Sequence, residues 1–252
     1  MNPENEPIPG APIIEAVVDI DCDLSPNLEI SSLAEPAGDA LNEGYPKFRK
    51  RLLQEHIFTS KGEAPPQIEF NEGLGALQFI SPDDKQLIQF RPNGFSFNRL
   101  APYRSLDDYL AEIERGWELF QSLAKPMVVR KLGIRMINRI LLPLEEGRLE
   151  FRHFLKVYPV LPETGSSLSF LGFLDQQMVV DNETGNRVNI VKTTEHPQNN
   201  QLPLILDIEA FYPCELAPNN WNAIRERLDL LRSLKNRIFR NTINIERCLN
   251  PS

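Results

Sequence analysis

Apolar and polar residues alternate in short runs along most of the chain, and a few longer stretches instead return an apolar residue every three to four positions. A period of two marks a strand with one buried face, and a period near 3.6 marks an amphipathic helix. The longest alternating run is Val128 to Leu142, VVRKLGIRMINRILL. Its alternation places Val128, Arg130, Leu132, Ile134, Met136, Asn138 and Ile140 on one side and Val129, Lys131, Gly133, Arg135, Ile137 and Arg139 on the other. Frequent β-branched residues, an interior glycine and flanking Pro126 and Pro143 favour a strand over a helix, placed centrally in a sheet. A second strand begins at Pro12, where Ile14, Ala16, Val18, Ile20 and Cys22 oppose Glu15, Val17, Asp19, Asp21 and Asp23.

The remaining elements follow from the same two periods. A polar connection leads to YPKFRKRLLQEHIF, where Tyr45, Phe48, Leu52 and His56 keep helical spacing and predict a helix. Short runs at Gln67 to Phe70, Leu74 to Ile80, Gln86 to Arg91 and Gly94 to Asn98 are separated by turn residues and predict an antiparallel meander. Leu106, Leu110, Ile113, Trp117 and Phe120 trace a helix that Ser105 caps, with Asp108 in a capping-box position. Arg148 to Val157 fits a strand or a short helix. Ser167 to Phe173, Gln176 to Asp181, Arg187 to Thr193 and LILDIEAF after the polar loop EHPQNNQLP are further strands. Asn219 or Asn220 caps a last helix through Trp221, Ile224, Leu228, Leu231, Leu234 and Ile238. Its Arg225, Arg227, Arg232, Lys235, Arg237 and Arg240 are expected on a solvated face.

This order predicts an α+β fold: a large, mostly antiparallel sheet with long helices packed on one face. Residues 1–11 are a flexible lead-in rich in proline and acid, and 12–252 form a single domain. Strand, meander and helix occur in 12–124 and again in 127–246, so two similar halves share one sheet, with a boundary near Lys125 and Pro126.

Composition narrows the setting. With 252 residues and 41% of them hydrophobic, a sizeable core is available. A formal net charge of -8 argues against a general nucleic-acid binder, although the basic last helix offers a local route to one. Cys22, Cys214 and Cys248 lie far apart, as suits free thiols in a reducing compartment. The N-terminus lacks the basic and apolar regions of a signal peptide, and no apolar run approaches the roughly 20 residues that span a bilayer. A cytoplasmic protein with no membrane partner is expected.

Taken together, APIIEAVVDI, QFRPNGFSFNRLAPY, the helix ending WELF, RKLGIRMINRILLP, LILDIEAF and LLRSLKNRIFRNTI resemble a family of uncharacterised bacterial proteins of sporadic distribution. The likeness spans nearly the whole chain. It implies one full-length domain and, through the distribution, a toxin-antitoxin or phage-defence setting; it implies no activity or ligand. Leu234-Lys235 and Phe239-Arg240 stand where similar proteins often carry Leu-His and Phe-Glu, so no role of that histidine transfers.

Phosphate-loop, dinucleotide, nucleophile-elbow and HExxH patterns are missing, and His56, His153 and His196 lack ligand spacing. No catalytic residue and no metal ligand is assigned. The candidate binding residues are Glu15, Asp19, Asp21, Lys131, Arg135, Arg139, Asp207 and Glu209, which alternation places on one side of three strands, with Lys192 close by. They predict either a ladder of ion pairs or a binding face. The preferred function is non-enzymatic docking of a protein partner, without a cofactor. The alternative is a phosphohydrolase acting on triphosphates with Mg or Mn, because alternating acids on a first strand resemble triphosphate-tunnel enzymes; Asp23 stands where that pattern has lysine. A second alternative is nucleic-acid binding by the last helix.

Overall fold

The computed structural model describes residues 8, 10–59, 67–160 and 172–249. Strand β1 (Ile13–Asp23) is followed by a 3-10 turn (Ile30–Leu33) and α1 (Ala34–Leu41). Strands β2 (Lys47–Thr59), β3 (Gln67–Ile80), β4 (Gln86–Arg91) and β5 (Gly94–Leu100) precede α2 (Leu110–Ala124). The rest of the chain runs through β6 (Val128–Pro143), α3 (Phe151–Phe154), β7 (Leu174–Val180), β8 (Arg187–Thr194), β9 (Gln201–Leu216), α4 (Trp221–Thr242) and α5 (Ile245–Leu249).

The nine strands of the described residues share one sheet in the order β2, β3, β4, β5, β1, β6, β9, β8, β7. Every pairing is antiparallel. The β1–β6 pair lies at the centre, with four strands beyond β1 and three beyond β6. Each of the two central strands is followed by a meander that returns to its free side and ends in a long helix, α2 or α4. Lys125, between α2 and β6, turns the chain in the left-handed region at φ 50°.

One face of the sheet is buried under the helices. Ala16, Val18 and Ile20 of β1, Phe95 and Phe97 of β5, Leu132 and Ile134 of β6, and Leu204 to Ala210 at alternate positions of β9 pack against Ile113, Trp117 and Phe120 of α2 and Ile224, Leu228 and Leu231 of α4. Each fully buried side chain of this size stabilises the fold by about 1.5–3 kcal/mol. Phe90 and Phe120 meet edge to face at 5.0 Å, and the Trp117 indole N–H donates to the Pro218 carbonyl at 3.0 Å. A Cβ at Gly116 would lie 3.0 Å from the Phe95 ring, so the missing side chain is what lets α2 sit close to the sheet.

Several elements depart from expectation for identifiable reasons. The helix expected over 45–58 is strand β2, paired with β3 from Lys47 opposite Ile80 to Thr59 opposite Gln67. As an edge strand it leaves Phe48, Leu52 and Leu53 about half exposed, at 46%, 56% and 52%, so over residues 47–54 no buried face imposed a period of two on the sequence. The polar connection before it holds the 3-10 turn and α1. Helix α2 begins at Leu110 rather than Leu106; the Ser105 hydroxyl accepts from the Asp107 backbone N–H at 3.2 Å and closes a turn instead of capping the helix. Arg148 to Val157 contains the short helix α3. The expected strand Ser167 to Phe173 lies almost wholly outside the described residues.

The two central strands also slip phase at their ends. Val129 is buried and Arg130 exposed, the reverse of strict alternation, because the register of β6 shifts between Val129 and Lys131 against β9. A similar shift between Ile13 and Glu15 leaves Ile14 40% exposed. From Lys131 onward β6 keeps the expected faces.

Candidate functional site

The sheet face turned away from the helices carries all eight candidate residues, but it does not gather them into one pocket. Glu15 accepts from the Asn98 amide at 2.7 Å. Asp19 accepts from the Ser96 hydroxyl at 2.5 Å, and Arg91 bridges Asp21 at 2.6 Å and Asp19 at 3.3 Å. Lys131 lies 3.3 Å from Asp21 and 3.6 Å from Glu209. Arg135 grips Asp207 with two nitrogens at 2.5–3.0 Å, which pushes its guanidinium pKa further up, and Arg139 meets Glu195 at 2.9 Å. The cations thus meet acids across strands. Such half-exposed pairs contribute up to about 1 kcal/mol each.

The network extends toward β2 through amides. Arg49 donates to Gln78, Gln78 to Gln89 and Gln89 to Asn98, at 2.5, 2.6 and 2.7 Å, and Asn98 reaches Glu15. This row satisfies buried polar groups from β2 to β1. Lys192, read as a neighbour of these charges, lies on the opposite face, opposite the buried Leu206. There it is 2% exposed and pairs with Asp175 at 2.7 Å. Among the described residues no group of three or more His, Cys, Asp or Glu is placed to hold a metal ion, and no helix is long and apolar enough to cross a membrane.

A second candidate lies on the helix side. A cavity of about 540 Å³ opens between β6, the C-terminal half of α4, the connection before α2 and the N-terminal segment. Its apolar wall includes Ile8, Ile13, Tyr103, Leu106, Met136 and Phe239, and its polar groups include Asn138, Arg232, Lys235 and Asn236. No family model, curated protein or solved structure matches the chain.

The basic residues of α4 are therefore not one solvated stripe. Arg232 and Lys235 are 8% and 7% exposed and face the cavity. Arg232 is held by Asp107 at 2.8 Å and Asp229 at 2.7 Å, while its Nε is buried without an acceptor. Lys235 has no hydrogen-bond or ion-pair partner among the described residues. Burial, and then the charges of Arg232 and Arg240, bring its pKa down to about 7. Burial also raises the Tyr103 hydroxyl pKa well above its ordinary value.

Two signals of this site are present in the sequence. Asn138 is polar within the apolar set of β6, and it is 1% exposed, its amide donating to the carbonyls of Met136 and Leu206 at 3.3 and 3.0 Å. Lys235 follows Leu228 by seven residues and Leu231 by four, which puts it on the buried stripe of α4.

Proposed function

We propose that the protein acts by binding, and that the cavity beneath α4 takes a small organic molecule. The observation that carries this reading is the cavity itself: its volume falls in the range of small-molecule sites, and a mainly apolar wall converges on a few buried polar groups. The opposite face supports the same reading, since its acids and arginines are engaged with one another rather than turned toward a substrate. Ligand-observed NMR with ring-sized neutral and charged fragments tests it. Fragments are expected to bind the wild type and to lose binding in Met136→Trp, which fills the cavity; Ala11→Trp obstructs it from the N-terminal wall should the first variant fold poorly. No binding, or binding indifferent to both substitutions, overturns the reading.

A protein partner is the second reading, and β7 favours it. This strand ends the sheet, and no strand among the described residues pairs with its outer edge. Leu174, Met178 and Val180 are 70%, 75% and 53% exposed, and the strand carries no lysine, arginine or proline to discourage pairing. Such an edge suits the addition of a partner's strand. Affinity capture from a lysate of the native host should retain a protein that Met178→Lys fails to retain. Identical capture by both forms counts against this reading.

A further inference from the structure

We infer that the molecule taken by the cavity is an organic oxyanion, a carboxylate or phosphate ester on an apolar, ring-sized body, with its charged group seated on Lys235 and the Arg232 Nε–H. The inference rests on the reading of the cavity as a ligand site and adds the chemistry of the ligand. Arg232 is fixed in orientation because its two terminal nitrogens are each held by an aspartate. It cannot turn its Nε–H to an acceptor within the protein without releasing one of them, so beside the cavity a buried donor is left without an acceptor.

One helical turn further, Lys235 adds a buried ammonium group. Asp107 and Asp229 are committed to Arg232, and Asp108, the carboxylate lining the cavity, is exposed. A buried ammonium with no acid of its own, close to the like charges of Arg232 and Arg240, is costly until an anion joins it. A water molecule would accept the Arg232 hydrogen bond but would leave the Lys235 charge unmatched. An oxyanion serves both, because its oxygens accept charge-assisted hydrogen bonds from the two groups.

The rest of the cavity sets the body of the ligand. A bare inorganic ion would leave most of the 540 Å³ and the apolar surface of Tyr103, Met136 and Phe239 uncovered. An apolar ring covers that wall. Asn138 spends its amide N–H groups on backbone carbonyls, which leaves its Oδ1 available to a ligand hydroxyl or amine.

Protein NMR titrations with benzoate, phenyl phosphate and the neutral isostere benzamide test this on wild type, Lys235→Met and Lys235→Arg. At least one anion should bind about tenfold more tightly than benzamide, the equivalent of one charge-assisted hydrogen bond. That preference should vanish in Lys235→Met and persist in Lys235→Arg. Whether benzoate or phenyl phosphate carries it separates the carboxylate from the phosphate source. Benzamide binding as tightly as both anions, or anion binding unchanged in Lys235→Met, overturns the inference while the cavity remains a ligand site. Failure of all three probes overturns both.

Discussion

Replacing Lys235 with methionine is expected to raise stability by about 4 kcal/mol near neutral pH, an unusual sign for a substitution at a buried position. The folded protein holds this lysine at about 7 against an ordinary value of 10.5. Between those two values the unfolded chain binds a proton that the folded chain has released, so the wild type gains stability as pH rises through this window. Below about 7 both states are charged and the full cost of burying the ammonium remains. The groups facing it do not reverse this sign: Arg232 and Arg240 share its charge, Tyr103 is neutral here, Arg104 and Asp108 stand at the exposed rim, and β6 offers only Met136 and Asn138. Urea unfolding of both forms at pH 6.5 and pH 10, in buffer free of phosphate and carboxylates, measures the difference. The advantage of Lys235→Met should be large at the lower pH and shrink by most of its size at the higher one. A difference independent of pH, or a less stable variant at pH 6.5, would remove the buried charge from the account.

The same residue shows what was legible in the sequence. Strands β1, β4, β5, β6 and β9 and the long helix α4 announce themselves because each has one face in the core, and burial is what writes a period into a sequence. Over its described side chains, residues 47–54, strand β2 has no such face, and the chance spacing of Tyr45, Phe48 and Leu52 then reads as a helix. Helix α1, AEPAGDAL, buries little beyond Ala37 and Leu41 and contains a proline and a glycine, so it reads as connection. On α4 the apolar stripe is legible, but the burial of Arg232, Lys235 and Asn236 beside Ile8, Ala11, Ile13 and residues 103–106 comes from segments distant in sequence. That is a tertiary fact with no local signature beyond a lysine in register with leucines.

For the charged face, alternation was enough to place Glu15, Asp19, Asp21, Lys131, Arg135, Arg139, Asp207 and Glu209 together on one side. It was not enough to say which charge meets which. Arg135 stands directly opposite Glu209 in the register yet chelates its diagonal neighbour Asp207, two residues along β9, and Lys131 reaches Glu209, four residues from its own register partner Pro213. Diagonal neighbours lie within reach of long side chains. Arg91, which joins Asp19 to Asp21, enters from β4, two strands from β1 across β5. Strand order, which no single strand encodes, therefore decides the electrostatics of this face.

The largest loss is expected at Gly94, on that same seam between the β4–β5 turn and β1. Gly94 adopts φ 146°, and an alanine Cβ there would lie 2.1 Å from the Ile20 carbonyl oxygen and 2.9 Å from the Asp21 Cα. Both obstacles are backbone of a central strand, so the clash cannot be relieved by a side chain turning aside. The turn is also tied to β1 by the Cys22 N–H, which donates to the Asn93 carbonyl at 2.9 Å, and by the Arg91 bridge to Asp21. Displacing Gly94 pulls on both. Gly94→Ala should therefore cost more than about 3 kcal/mol, combining conformational strain with a forced backbone shift. Gly73→Ala is the matched control, since a Cβ at Gly73 meets nothing within 4 Å. It should change stability by no more than about 0.5 kcal/mol. The urea midpoints of the two variants compare them directly: a Gly94→Ala midpoint close to that of Gly73→Ala would mean that the turn is not seated against β1 as described.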